Sequence, residues 1–479
     1  MWKNEDASKL DIEEVWQMYR DYLNPSQVEL IGSFPFGREL VKEASGCWII
    51  LTSGKRILDL TGGIGVLNHG HNHPRILQAR KNFADQMRME VHKNFLSPYL
   101  AILSANVAEL MPGDLQYSYF PNSGAEAVEG AVKLAYKYHD GSRNFILHSD
   151  ISFHGKLLGA AGLTGSPEIA FKFPTIPNVE TFEYNNIISL KEKIDLLQKQ
   201  DGTSNIYAII LEPLNASSMR SCSSEFILEL RRLCDVNDII LIFDEVYSGW
   251  GKTGYLFNFM RVQNVIPDIV TYAKSFGGGK ASISGYTSTQ KVASAYHTLS
   301  AATLHSTTYN GFGEETVTAI EALNILVDEK LVEKSKQIGI QFKELANELL
   351  ESCQYIEEIR GSGALWGIVF KRSAIEKVFA YVAKTLSHFN LLDSGIVNDP
   401  RFAKKLIAGS IVNSLYIDFG ILTYFGVNIE NPLIISFPLV TNSEEFLHAE
   451  KALRETFEKP LAYHVVRFIK TRYQGPKSD

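Results

Sequence analysis

Cysteine is scarce in this chain: four of 479 residues, Cys47, Cys222, Cys234 and Cys353, with no CxxC pair among them. The spacing argues against a zinc cluster and against the disulfide framework of a small secreted domain, and it fits a reducing, cytoplasmic setting. No metal site is expected. Dense runs of lysine and arginine are also missing, and with 47 basic against 54 acidic residues the formal net charge is -7. Nothing there attracts a phosphate backbone or an anionic membrane, so nucleic acid is not an expected partner. The N-terminus, MWKNEDASKLDIEEVW, has acidic residues where a secretory signal has an apolar core, so no targeting segment is expected. Only one long apolar stretch stands out, Leu406 to Val427, and Asn413, Asp418 and internal glycines interrupt it. An unpaired aspartate is costly in hydrocarbon, so the stretch reads as buried or interface structure and not as a membrane span.

What is present is ordinary in bulk and informative in pattern. A hydrophobic content of 45% with 21% charged residues is that of a globular enzyme, and the length calls for two or three lobes. Tyr117 to Phe120 reads as a strand, Asn122-Ser123-Gly124 as a turn, and Ala125 to Tyr138 as a helix with Val128, Ala131, Val132, Ala135 and Tyr136 at helical spacing. Three short apolar runs follow, Ile206 to Leu211, Ile239 to Phe243 and Ile269 to Ala273, which read as buried strands. Gaps of roughly 30 residues between them match strand-helix-strand units in a mostly parallel sheet. After about residue 325 the pattern turns to helices, with Leu331 to Cys353 strongly amphipathic, and to a strand at Leu365 to Phe370. The expected division is an N-terminal arm over 1–65, a large domain over 66–325 and a smaller one over 326–479.

Each of the three apolar runs ends on a reactive group: Glu212, Asp244 and Lys274. Sites in open α/β sheets lie at the carboxyl ends of strands. One such residue would be unremarkable; three at successive strand ends form a constellation. A lysine amine at a partly desolvated strand end has a lowered pKa and can form a Schiff base with an aldehyde. Asp244, at the end of an apolar strand, needs a cationic partner. A protonated pyridine nitrogen is one, and the pair would keep such a ring an electron sink; a structural salt bridge to an arginine is the alternative. Val246, two residues on, points the same way and could pack on a ring face. Ser123, Gly124 and Ala125 stand at a helix start, where free amides and the helix dipole favour a phosphate, although Ser-Gly before a helix is commonly an N-cap alone. Phe153, beside His154 in the segment SFHGK, could stack on the ring or belong to the core.

Taken together, DLTGGIGVLNHGHNHP (59–74), FPNSGAEAVEGAVKLA (120–135), FHGK (153–156), IILEP (209–213), IFDEVYSGWGKTG (242–254), PDIVTYAKSFGGG (267–279) and HSTTYNG (305–311) resemble the class III, or ω-type, aminotransferases of fold type I, in order, from about Ser33 to Leu447. The resemblance implies an α/β fold: a three-layer αβα large domain around a mostly parallel sheet, with a smaller α+β domain. It implies pyridoxal 5'-phosphate (PLP) as cofactor, with Lys274 as the Schiff-base lysine and proton shuttle and Asp244 as the pyridine partner. It also implies Gly124 and Ala125, beside Ser123, at the phosphate, Phe153 for stacking next to His154, Val246 at the ring and Glu212 near Asp244. Thr308 matches a threonine that reaches the phosphate of the neighbouring subunit, so a homodimer with sites at the subunit interface is implied.

The departures bear on substrate. Relatives acting on α-amino acids often carry a carboxylate-clamping arginine in a segment that here reads LIISFPLVT (433–441), with Ile434 or Ser436 in its place. Lys156, Tyr247 and Asn310-Gly311-Phe312-Gly313 also depart from the family pattern. The expected reaction is ping-pong transfer of an amino group from a small-molecule donor to an aldehyde or ketone acceptor, with a long-chain or carrier-bound acyl intermediate as one acceptor class. Phe34, Phe36, Tyr247 and Trp250 are aromatic candidates for lining its site. A racemase, epimerase or aminomutase on the same fold is the alternative, and a catalytically silent scaffold is another. The segment from Lys371 to Leu415 is expected to form a lid or a partner surface. Gly-Trp-Gly-Lys-Thr (249–253) lacks the first glycine of a phosphate loop, since Val246 stands there, so nucleotide binding is not expected.

Overall fold

The computed structural model describes residues 1–165, 173–374, 402–426 and 430–472. Three strands open the chain after two short helices: β1 (Val41–Ser45), β2 (Trp48–Leu51) and β3 (Arg56–Asp59), an antiparallel meander. The central sheet then takes seven strands, β4 (Leu115–Tyr119), β5 (Phe145–Ser149), β6 (Val179–Phe182), β7 (Ile206–Leu211), β10 (Ile240–Asp244), β11 (Ile269–Tyr272) and β12 (Gly285–Thr289), with β8 (Leu214–Asn215) and β9 (Arg220–Ser221) forming a small hairpin beside it. Its order is β4-β12-β11-β10-β7-β5-β6. The neighbours from β11 to β6 run parallel, and β12 runs antiparallel to both β11 and β4. Every residue of β7 and β10 is buried, which is why both read as unbroken apolar runs instead of alternating ones.

Helices Gly124–Tyr138 and Gly313–Asp328 are among those that cover the sheet. Val128, Ala131, Leu134 and Ala135 of the first pack on Ile210, Ile242 and Ile269 from one face, while Leu211, Phe243, Val270 and Tyr272 meet Ala319, Ala322 and Leu323 of the second on the other. The expected mostly parallel, helix-flanked α/β architecture is observed. One detail differs: no α-helix connects β10 to β11, and only the 3-10 turn Asn258–Arg261 interrupts that crossover. The connection is packed by Trp250, Phe257 and Phe259, all 1% exposed or less, so an aromatic cluster takes the place of the helix.

The C-terminal part carries helix Leu331–Ser352, then β13 (Ile356–Ser362), β14 (Leu365–Phe370), β15 (Ile421–Leu422), β16 (Tyr424–Phe425) and β17 (Leu433–Ser436). Four of these make an antiparallel sheet in the order β13-β14-β17-β16, and β15 pairs in parallel with β3 of the N-terminal meander. The N-terminal segment is thus stitched to the C-terminal lobe, and Trp48 Nε1 donates to Glu445 Oε1 at 2.8 Å across the same seam. The apolar stretch expected to be buried forms helix Phe402–Phe419, with Ile407, Ala408, Ile411 and Leu415 fully covered. Among the described residues no helix is long and apolar enough to cross a membrane. Of the segment expected to form a lid or a partner surface, residues 375–401 lie outside the described residues. All four cysteines are free and buried.

Candidate active site

The site is assembled at the carboxyl edge of the parallel strands. Asp244 ends β10, Glu212 follows β7, and Lys274 comes two residues after β11. β10 lies between the other two, with Phe243 opposite Leu211 on one side and Asp244 opposite Thr271 on the other. Register alone therefore brings the three predicted groups to one place.

Asp244 is 4% exposed and fully engaged. Its Oδ2 lies 2.7 Å from His154 Nδ1, and its Oδ1 accepts from Val246 N at 3.0 Å and Thr271 Oγ1 at 3.1 Å. The protein partner of this carboxylate is thus a histidine and a threonine hydroxyl, and not an arginine. His154 is itself buried, and its second nitrogen, Nε2, has no hydrogen-bond partner among the described residues. Glu212 accepts from Phe153 N at 2.8 Å, Asn215 Nδ2 at 2.6 Å and Ala216 N at 3.2 Å. Burial pushes its carboxyl up to about 7, with His154 opposing and Asp244 adding to the rise.

Lys274 Nζ donates to Ile64 O at 3.2 Å. Burial lowers its pKa, and the Asp244 and Glu212 carboxylates oppose that fall. That fall raises the share of neutral, nucleophilic amine at any given pH. The lysine has φ +49°, in the left-handed region, a strain on the order of 1 kcal/mol that the packed strand end holds in place.

The helix Gly124–Tyr138 starts beside this edge. Ser123 caps it: its Oγ accepts Glu126 N at 3.3 Å, while the Glu126 carboxylate accepts Ser123 N and Asn122 N at 2.8 and 3.0 Å. The amides of Gly124 and Ala125 find no acceptor among the described residues and sit at the positive end of the helix dipole. A Cβ on Gly124 would lie 2.9 Å from Val246 Cγ1 and 3.4 Å from Ala273 Cβ, and one on Gly155 would lie 2.7 Å from Ala125 Cβ. Only glycine permits strand end, helix start and FHGK loop to close up so tightly.

A different surface faces Lys274 from the C-terminal side. The Tyr247 ring packs where a Cβ on Gly65 would be, 2.8 Å away, and its centroid is 5.2 Å from Lys274 Nζ. Its hydroxyl is hydrogen-bonded to that of Tyr424. Burial pushes the Tyr247 phenol up to about 12, so it is neutral. Leu214, Met219, Leu365 and Ile434 frame the pair, and Ser436 is completely buried, its Oγ 2.8 Å from the place of a Gly62 Cβ. Arg220, next in sequence to Met219, and Arg360 are both paired to Glu430. Behind Tyr247 lies Lys252, with no exposed surface, its Nζ bonded to Asn68 Oδ1 and its pKa drawn down to about 7, by burial first and by Lys274 second.

Of the predicted residues, Lys274, Asp244, Glu212, Val246, His154, Phe153, Ser123, Gly124 and Ala125 converge. Phe153 is half-buried and attached through its amide to Glu212. Thr308 is exposed and does not join them within this chain. Of the four aromatic candidates only Tyr247 adjoins Lys274. Trp250 belongs to the core with Phe257, Tyr272 and Phe276, and Phe34 and Phe36 stack on each other against Phe468 and Tyr416. Thr271, Tyr424, Asn215 and the Ile64 carbonyl were not anticipated. Only Thr271 carries a sequence signal, three positions ahead of the lysine on the strand that leads to it.

A poised amine, a buried carboxylate with a histidine behind it and two free amides at a helix start fit an aromatic aldehyde that carries a ring nitrogen and a phosphate. The family model described as aminotransferase class-III matches residues 36–398. Putrescine aminotransferase of Pectobacterium atrosepticum is 33% identical over 399 residues, 81% of this chain and 83% of that protein. Among solved structures, ornithine aminotransferase from Toxoplasma gondii, with partial occupancy of PLP at its active site, superposes with a TM-score of 0.78 at 22% identity, over 99% of this chain and 100% of that one. An (S)-enantioselective omega-transaminase from Thermomicrobium roseum gives 0.75 at 24% identity, over 95% and 99%. The chain belongs to the class-III aminotransferase family. It is an enzyme that transfers amino groups between small molecules with PLP as cofactor.

Proposed function

We propose that Lys274 is the residue that holds PLP covalently and, when released, carries the proton to and from the substrate carbon. Bound PLP supplies an aldehyde for the amino group and a ring that accepts electrons from that carbon. In this reading Asp244 keeps the ring nitrogen protonated, and His154 and Thr271 fix the carboxylate that does so. Gly124 and Ala125 donate to the phosphate, with Ser123 capping the helix beneath them, while Val246 and Phe153 flank the ring and Glu212 anchors the Phe153 loop. The observation that carries the reading is the register of β10 and β11, which puts Asp244 opposite Thr271, three residues before Lys274. Purified protein given PLP is expected to absorb above 400 nm and to yield a borohydride-fixed adduct on Lys274. Lys274→Ala should abolish both and lower turnover by up to roughly 10⁴-fold; an adduct at another lysine would overturn the assignment.

The substrate end supports an acceptor or donor with no carboxylate near β17. The hydroxyls of Tyr247, Tyr424 and Ser436 and the hydrocarbon of Leu214, Met219, Leu365 and Ile434 stand there, and the flanking Arg220 and Arg360 are held by Glu430. The kinship with putrescine aminotransferase supports a terminal amine as donor. An aldehyde or ketone on a long or carrier-bound chain suits the apolar frame as acceptor. A panel of diamines, ω-amino acids and keto acids tests this; strict preference for dicarboxylate acceptors would count against it.

A homodimer with shared sites is part of the same proposal. Phe95, Leu96, Leu299, Leu304 and Tyr309 are large apolar side chains left exposed on segments close to Thr308, with Leu96 and Leu299 98% and 99% exposed. The two segments touch where Lys93 Nζ donates to Thr307 O, and apolar surface so gathered is characteristic of a contact region. Sedimentation should give twice the chain mass. The division into 1–65, 66–325 and 326–479 and a cytoplasmic setting, which four buried free cysteines suit, complete the proposal.

A further inference from the structure

Tyr247 occupies a position with two neighbours of the same charge. Lys274 Nζ is 5.2 Å from the ring centroid and Lys252 Nζ is 6.0 Å from it. Both distances fall within the range over which an ammonium is attracted to the π face of a tyrosine. The ring is locked there. A Cβ on Gly65, at φ +89°, would come within 2.8 Å of it and within 3.2 Å of Lys274 Cδ, so the absence of a side chain at 65 lets ring and lysine lie against each other. Leu214, Met219, Leu365 and Ile434 pack around the ring, and Tyr424 binds its hydroxyl. The amine therefore has two fixed recipients: the Ile64 carbonyl at 3.2 Å and the ring face.

A protonated amine has three donors and no acceptor. A carbonyl and a π face satisfy it without an acid that would trap it as a salt bridge, and neither recipient competes with an aldehyde for the neutral amine. The acids nearby, Asp244 and Glu212, are already occupied by His154, Thr271, Val246, Phe153, Asn215 and Ala216.

We propose that Tyr247 is a positioning residue: its ring face, with the Ile64 carbonyl, is the resting place of the Lys274 amine whenever that amine is not covalently engaged. The lysine then stays within reach of the substrate carbon and of the aldehyde it must recapture, and does not swing out to solvent. The charged and titratable groups around the amine are Asp244 and Glu212 at the strand ends, His154 behind Asp244, Lys252 on the same ring, and the neutral Tyr424 beyond it.

The test keeps shape and burial constant and varies only the π face. Phenylalanine and its mono-, di- and trifluorinated analogues are placed at 247 in the full-length chain. The pKa of the Lys274 amine is read in cofactor-stripped protein by competitive acylation across pH, followed by mass spectrometry. Tyr247→Phe should leave that pKa within about 0.3 of wild type, and the fluorinated series should lower it stepwise, by about one pH unit in all. A flat series overturns the proposal, as does Tyr247→Phe alone producing the full drop, since that assigns the effect to the hydroxyl. The proposal rests on Lys274 being the cofactor lysine, which borohydride trapping on loaded protein tests separately. Trapping at 274 with a flat series removes only the role of the ring, whereas no trapping at 274 removes both.

Discussion

The two walls around Lys274 are built on opposite principles. On the sheet side every buried charge has its mates: Asp244 takes three hydrogen bonds and Glu212 three. On the small-sheet side the groups that face the lysine are hydroxyls in a hydrocarbon frame, and the amine buried behind them, Lys252, donates to Asn68 Oδ1. Low-dielectric burial makes an unmatched charge costly, so a matched set is one whose geometry the fold cannot afford to relax. The sheet side is therefore held by matched hydrogen bonds, whereas the opposite wall is held by apolar packing around Tyr247 and its one hydroxyl contact to Tyr424.

If that contrast is right, the largest losses come from the sheet side. Asp244→Asn keeps shape and removes the charge proposed to hold a ring nitrogen protonated; turnover should fall on the order of 10²–10³-fold, with the absorbance band displaced and thermal stability nearly unchanged. A loss under tenfold would break the comparison. Next comes His154→Phe, which strips the 2.7 Å partner from Asp244 Oδ2. Leaving a buried acceptor short of a donor costs about 1–3 kcal/mol, so PLP affinity, read by fluorescence titration, should weaken roughly 10- to 100-fold. Tyr424→Phe acts on the other wall. It leaves the buried Tyr247 hydroxyl without its partner, and kcat/KM for the preferred amine should drop by up to about tenfold, with PLP affinity unchanged. A shift in PLP affinity of the same size as that of His154→Phe would mean that the walls are not separable.

Much of the sheet side was legible in the chain, for a physical reason: a fully buried parallel strand is an unbroken apolar run, and its end is marked by the first charged residue. Glu212, Asp244 and Lys274 announce themselves that way. Gly124 and Ala125 follow from a strand, turn and helix pattern that needs no partner segment. What could not be read is whatever depends on which strands are neighbours. The His154 to Asp244 bond joins residues 90 apart in sequence, and Thr271 matters only because β11 lies against β10. The aromatic candidates divide for a related reason: Phe34, Phe36, Tyr247 and Trp250 look alike in sequence, and only packing decides that Tyr247 meets the lysine while Trp250 fills the space of a missing crossover helix. Nor does Gly-Lys-Thr, a sequence that looks like a loop, betray that Lys252 is among the most deeply buried side chains of the chain.

Lys252 offers the mildest perturbation of turnover and the sharpest measure of the unmatched wall. In the folded chain burial draws its pKa from 10.5 to about 7, whereas unfolding returns it to the ordinary lysine range. Between those values the unfolded chain binds more protons than the folded one, so stability rises with pH across that window; it is fully present above about 10.5 and lost as pH falls through about 7. Lys252→Met removes this dependence while keeping volume. Turnover should stay within about threefold, since Lys252 reaches the amine only across the Tyr247 ring. Thermal melts of the two proteins should show methionine ahead at pH 6.5, and the lead should shrink by an amount on the order of 1–3 kcal/mol by pH 9.5. A difference that stayed constant across that range would mean that Lys252 remains charged in the fold, matched by Asn68 and the ring, and that the substrate wall is as fully satisfied as the sheet edge opposite it.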